Sequence, residues 1–162
     1  MQDFGVWNES WQGYHLAEDS WADGGDPVYA MADGIVGGII VAQGYGAVML
    51  IEHRFGDHFV TSLYGHVSRR HGFEVEAGEA VSKGQRVAYI AEDDEDGGAW
   101  PPHLHFGIRK GRYDREGRIC GVWFYVGYTR ECSEITHEEH RALWLDPGDF
   151  VTGRIKLAER PR

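Results

Sequence analysis

The chain has 162 residues, 26 acidic and 16 basic, for a formal net charge of −10. That length suits one domain able to bury a core without help from disulfides or metal, so a metal here would serve chemistry rather than hold the fold. The acidic balance argues against nucleic acid and against anionic membrane surfaces, which both need clustered Lys and Arg. No apolar run approaches the roughly 20 residues that cross a bilayer, and the longest, 35–42, contains two glycines. The start, Met1-Gln2-Asp3-Phe4-Gly5, lacks the basic and apolar regions of a signal peptide. A cytosolic protein and a chain trimmed of its leader both fit.

In chain order the first chemical signal is His15-Leu16-Ala17-Glu18-Asp19. An imidazole and a carboxylate four residues apart can converge on one ion, from a helical turn or a bent loop. Alone, the motif reads more simply as an acidic loop with an incidental histidine. Segments 28–32, 34–43, 47–53, 59–64 and 87–91 follow, rich in β-branched and aromatic residues and punctuated by Gly and Asp. They predict short strands joined by tight turns. Twenty-three glycines suit many turns and suit long helices badly. Tyr64-Gly65-His66 ends one of these strands, where a histidine can serve a site or simply a turn.

An acidic, glycine-ended loop occupies 92–98. Trp100-Pro101-Pro102 then leads into His103-Leu104-His105-Phe106. In a strand, residues i and i+2 share a face, so both imidazoles would sit side by side with Leu104 turned to the apolar side. A polar strand face with two solvated histidines is the simpler alternative. The segment 111–141 is mixed, and Trp123, Phe124, Tyr125 and Tyr128 give it an aromatic patch that would wall a groove or cover an exposed sheet edge. Cys120 and Cys132 can pair in an oxidising compartment or remain thiols. Residues 134–143 predict a short helix capped by Ser133, followed by a turn and a last strand near Phe150. His137-Glu138-Glu139-His140 is not an HExxH motif, because its histidines are three rather than four apart. His53, His58 and His71 receive no role.

The order of these pieces says more than any one of them. His15-x-x-x-Asp19 is followed by Gly25-Asp26-Pro27-Val28-Tyr29-Ala30 and Asp33-Gly34-Ile35-Val36. Gly44-Tyr45-Gly46 then leads into 47–53, and Tyr64-Gly65-His66, Ala77-Gly78-Glu79 and His103-Leu104-His105-Phe106 complete the series. Over about residues 12–110 this resembles the lysostaphin-like, LytM-type zinc metallopeptidases of peptidase family M23. The resemblance implies an all-β fold: a bent antiparallel sheet forming a groove, a sandwich or split barrel of the duplicated hybrid motif type. It implies a single domain over 1–162, with 111–162 as an irregular C-terminal extension. It further implies one Zn2+ on His15, Asp19 and His105, catalysis by His66 and His103, and a peptide bond of bacterial peptidoglycan as substrate. An extracytoplasmic location would follow.

The chemistry is compatible with that assignment. Three protein ligands leave a fourth position open, as catalytic zinc requires, and two further imidazoles can move protons or stabilise an oxyanion. Chemistry alone does not choose between His103 and His105 as ligand; the resemblance does. Two departures from the family pattern are Pro101-Pro102 in place of Gly-Pro and Gly107 in place of Glu. Two other functions compete: a catalytically inactive binding or regulatory module of cell-wall hydrolases, and a histidine phosphotransfer carrier of related fold. The carrier would not need His15 and Asp19.

Overall fold

The computed structural model describes residues 1–42, 45–95, 100–125, 127–155 and 157. In chain order its strands are β1 (Trp7–Asn8), β2 (Gly13–Tyr14), β3 (Glu18–Trp21), β4 (Pro27–Tyr29), β5 (Gly34–Ala42), β6 (Gly46–Phe55), β7 (His58–Val67), β8 (Ala80–Val81), β9 (Arg86–Tyr89), β10 (His103–Lys110), β11 (Arg118–Ile119), β12 (Val122–Trp123) and β13 (Trp144–Leu145). Two short helices, α1 (His137–Ala142) and α2 (Pro147–Val151), flank β13. The five strands expected from composition correspond to β4, β5, β6, β7 and β9, with ends shifted by up to three residues; Gln43 lies outside the described residues.

One antiparallel sheet dominates, in the order β13-β10-β7-β6-β5-β8, with β3 also paired to β10. Among the described residues it runs open from β8 to β3 and β13, so it is not a closed barrel. The outer edge of β10 is shared: His103–Phe106 pairs with β3, and Ile108 and Arg109 pair with β13. Two-stranded ribbons β1-β2, β4-β9 and β11-β12 surround the sheet.

Strand β6 shows why its sequence is apolar at consecutive positions. Met49 and Ile51 enter a core with Val36, Tyr64, Val87 and Ile90 on one face. Val48 and Leu50 enter a second core with Leu16, Leu63, Tyr125 and Trp144 on the other. Both faces are covered, so alternation gives an unbroken apolar run instead of an apolar–polar one. The second cover comes from the segment after β10. Tyr125 is fully buried there, its hydroxyl accepting from the Asp114 amide at 3.1 Å, and Trp123 and Phe124 pack beside it. Burying a side chain of this size contributes on the order of 1.5–3 kcal/mol. The aromatic patch is thus divided: Trp123, Phe124 and Tyr125 cover a sheet face rather than the edge expected.

Two details of the C-terminal segment differ from expectation, and one open alternative is decided. The helix begins at His137, capped by Thr136 rather than Ser133, because Thr136 and Glu139 form a reciprocal capping box. No strand forms near Phe150. Asp146 is the N-cap and Pro147 the first turn of α2, an arrangement in which the missing proline N–H costs nothing. Cys120 and Cys132 form a disulfide. Cys120 and Gly121 both have positive φ, 49° and 73°, at the two-residue turn between β11 and β12, as the tight hairpin twist requires.

Candidate functional site

The register around β10 assembles the site. His103 and His105 share one face, while Leu104 and Phe106 pack on the opposite core. Asp19 on β3 lies directly opposite His105 on one side, and Gly65 on β7 lies opposite it on the other. His15 precedes β3, in an isolated bridge with Tyr128. The chain bends at Ala17, and this bend brings an imidazole and a carboxylate four residues apart to one point. The bent-loop alternative applies; there is no helical turn.

Three donor atoms converge there. His15 Nε2 lies 3.2 Å from His105 Nδ1 and 3.4 Å from Asp19 Oδ1, and His105 Nδ1 lies 3.0 Å from Asp19 Oδ1. Donors about 2.0–2.1 Å from a tetrahedral centre are themselves about 3.3–3.4 Å apart. His15 Nδ1 faces the Asp3 carbonyl at 3.3 Å. A carbonyl only accepts, so in the neutral ring Nδ1 carries the proton and Nε2 presents a lone pair. One N–H, on His105 Nδ1, then remains for three close contacts between lone-pair atoms. A cation at their centre satisfies all three at once, and the donor set of two imidazoles and one carboxylate suits zinc.

Electrostatics agree with a site built for positive charge. Burial alone would raise the Asp19 pKa, but the close imidazoles of His105 and His15 outweigh it and hold the carboxyl far below the usual range. Burial pushes His105 down to about 4, although Asp19 pulls the other way. Its ring is therefore neutral near pH 7, the form that ligates metal. On its far side, His105 Nε2 meets the Tyr45 hydroxyl at 3.2 Å, a contact that fixes ring orientation.

The other two predicted histidines stand beside this triad. His103 Nδ1 donates to the Pro101 carbonyl at 2.8 Å. Its Nε2 is thereby left unprotonated in the neutral ring, 3.9 Å from Asp19 Oδ1. Pro101, standing where the family has Gly, contributes its carbonyl here, so the change removes no donor from this arrangement. His66 reaches the same place by breaking a rule. Regular alternation would put it on the face of Tyr64, in the opposite core. Instead Ala47 pairs with Val67 and Met49 with Tyr64, so Gly65 and His66 together oppose Val48. This bulge, with His66 at φ 57°, turns the ring over to lie 4.2 Å from that of His103. A left-handed non-glycine residue costs on the order of 1–3 kcal/mol and concentrates at functional sites.

The structure thus brings His15, Asp19, His66, His103 and His105 together. It also adds residues that sequence reasoning missed. A groove of about 460 Å³ runs over the triad, bordered by Gln2, Trp11, Trp21, Trp100, Tyr128 and Arg130 among others. Tyr128, the remaining member of the aromatic patch, is a wall residue: it stacks on Trp11 at 5.6 Å and donates to Gln2 Oε1 at 2.6 Å. Close approach sets two glycines. A Cβ at Gly65 would meet Tyr45 at 2.9 Å and His105 at 3.2 Å, and one at Gly127 would overlap the Tyr45 hydroxyl. A Cβ at Gly107 would meet Trp144 at 2.9 Å, so the family's glutamate is displaced by the indole of β13. The sequence carried a weak sign of Tyr45, a large aromatic between two glycines, had placed Tyr128 in a patch that would wall a groove, and gave no sign of Arg130. Within the acidic loop, Glu95 turns inward to the 68–71 turn, accepting from Ser68 Oγ at 2.8 Å and the Arg70 amide at 2.6 Å; residues 96–98 lie outside the described residues.

Comparison with known proteins agrees with this geometry. The sequence model of peptidase family M23 matches residues 13–116, a span containing all five residues. The murein hydrolase activator EnvC of Escherichia coli is 38% identical over 89 residues, 55% of this chain but 19% of that protein's length. Among solved structures, LytU superimposes with a TM-score of 0.65 at 21% identity, over 94% of this chain and 83% of that one. The catalytic domain of lysostaphin from Staphylococcus simulans gives 0.64 at 18% identity, over 94% and 90%. At such identities the two structures establish a shared fold, and the family match establishes descent. With its motifs in family order and its sheet in the lysostaphin-like arrangement, the chain belongs to peptidase family M23.

Proposed function

We propose that this chain is a zinc-dependent endopeptidase that hydrolyses peptide bonds in the stem or crossbridge peptides of bacterial peptidoglycan. The observation that carries the reading is the convergence of His15 Nε2, Asp19 Oδ1 and His105 Nδ1 within 3.0–3.4 Å, with one N–H among them. These three residues would hold one Zn2+, which when bound polarises the scissile carbonyl and lowers the pKa of water. His103, its Nδ1–H committed to Pro101, offers Nε2 to the groove as the atom that takes a proton from attacking water. His66, its ring tilted against that of His103, is the second imidazole able to hydrogen-bond the developing oxyanion or return the proton to the leaving amine. Tyr45 and the Asp3 carbonyl keep the two ligand rings aimed. An extracytoplasmic location suits both the substrate and the Cys120–Cys132 disulfide.

Digestion of purified sacculi tests the reading. Protein loaded with one equivalent of zinc should release soluble fragments with new amino and carboxyl ends, identified by mass, and a chelator should stop the release. A zinc-loaded protein that releases nothing contradicts it. A second reading, a non-catalytic regulator of another cell-wall hydrolase, draws on the 38% identity to an activator. A regulator would not need five intact site residues, and it would stimulate a partner hydrolase without cleaving sacculi itself. Family membership leaves no observation in favour of the phosphotransfer carrier.

A further inference from the structure

Hydrolysis by the five site residues uses no fixed cation on the groove wall, yet Arg130 stands there. Among the described residues bordering the groove it is the one Lys or Arg, and Asp19 is the one carboxylate. Asp19 is already engaged by His105, His15 and His103 at 3.0, 3.4 and 3.9 Å. Arg130 has no such engagement: its Nε is sealed from solvent without a hydrogen-bond partner, and no described carboxylate pairs with it. Elsewhere Arg54, Arg70, Arg86, Arg112 and Arg154 each sit 2.7–3.9 Å from a carboxylate, and Arg109 and Arg141 lie over the Phe124 and Tyr14 rings. In a chain with 26 acidic residues, a half-buried guanidinium lacking one is an unspent binding group.

Its backbone is held in place. The Arg130 amide donates to His140 Nδ1 at 2.9 Å, Thr129 Oγ1 meets His137 Nδ1 at 2.7 Å, and Cys132 is tied to Cys120. The two histidines that resemble a metal motif in sequence therefore brace this wall. On a backbone so held, the guanidinium offers a planar fork matched to a carboxylate, beside the stacked Trp11 and Tyr128 rings on the same groove.

Resting on the peptidase reading above, we propose that Arg130 is a specificity residue that binds a free carboxylate of the substrate peptide, so that the groove selects acidic wall peptides over amidated or neutral ones. The test uses zinc-loaded full chain and crosslinked muropeptide dimers, either native or amidated throughout with carbodiimide and ammonia. Amidation should lower wild-type kcat/KM about ten- to hundredfold, chiefly through KM. Arg130→Gln should cleave native dimers as slowly as the wild type cleaves amidated ones, and should no longer distinguish the two. Arg130→Lys should fall between, as a point charge without the fork. Dimers amidated only at the C-terminus or only on side chains assign the carboxylate: at least one must reproduce the loss, and neither doing so overturns the proposal. Wild type indifferent to amidation overturns it without reference to any variant, as does an equal loss on both substrates in Arg130→Gln. Zinc-dependent cleavage without discrimination removes Arg130 alone; absence of zinc-dependent cleavage of either dimer removes the peptidase reading and this inference with it.

Discussion

The two sides of the groove are built by different means. On one side His103 and His105 ride on β10, and Asp19 and Gly65 are set opposite by backbone ladders with β3 and β7. On the other, Gly127, Tyr128 and Arg130 border the groove from a segment with little regular structure, held by a disulfide, two histidine side chains and the burial of Tyr125. A ladder fixes many side chains at once and tolerates the loss of one. A wall built from individual ties depends on each of them. On the proposed reading the stiff side would carry the chemistry, where small displacements are costly, and the tied side would carry recognition.

Substitutions should separate the two sides. The largest effects belong to the ladder side. His105→Ala should abolish stoichiometric zinc, whereas His103→Ala and His66→Ala should retain zinc and lose activity by about 10²–10⁴-fold. Metal analysis of the purified variants checks this, and full zinc in His105→Ala refutes the ligand assignment. Next comes the wall. Replacing Cys120 and Cys132 together with Ser removes a loop with sequence separation 12 and should cost about 3 kcal/mol of stability, read as a lower denaturant midpoint. Zinc stoichiometry should survive; if zinc is lost as well, the two sides are not independent.

Tyr45 lies between them, touching His105 by its hydroxyl and approached by Gly127. Tyr45→Phe should weaken zinc affinity about 10–100-fold with the fold intact, measured by competition with a chromogenic chelator. Unchanged affinity would make the contact incidental. The smallest effect is on the pH dependence of stability. Burial pushes the pKa of His53 down, against the pull of the Asp33 carbonyl, and burial likewise lowers His140. A histidine whose folded pKa lies below its unfolded value favours folding above the unfolded pKa, near about 6.5, and that contribution is lost as pH falls below it. Urea midpoints of metal-free protein should therefore drop between about pH 7 and pH 5. His53→Gln and His140→Gln should each flatten the profile, His53 behind the ladder and His140 behind the wall.

The same division governs how much could be read in advance. Period-2 alternation was enough to place His103 and His105 on one face and Leu104 on the other. Nothing local placed Asp19 opposite His105, since strand pairing at a separation of 86 residues has no local signal; the ordered motifs carried it through resemblance. Alternation alone would have misplaced His66, because the bulge at Gly65 and His66 inverts its face. The capping box of Thr136 and Glu139 and the helix start at Asp146-Pro147 were visible in the letters, yet a serine cap and a strand were expected in their place. Arg130 had no periodicity to reveal it, because its position comes from ties of its segment to Cys120, His137 and His140 that are set only in three dimensions.

The most direct measurement is zinc-edge X-ray absorption on protein loaded with one equivalent of metal. A four-coordinate site of nitrogen and oxygen donors at about 2.0–2.2 Å, with scattering from two imidazoles and none from sulfur, is the predicted result. A sulfur shell, fewer than two imidazoles, or a spectrum unchanged by His105→Ala would contradict it.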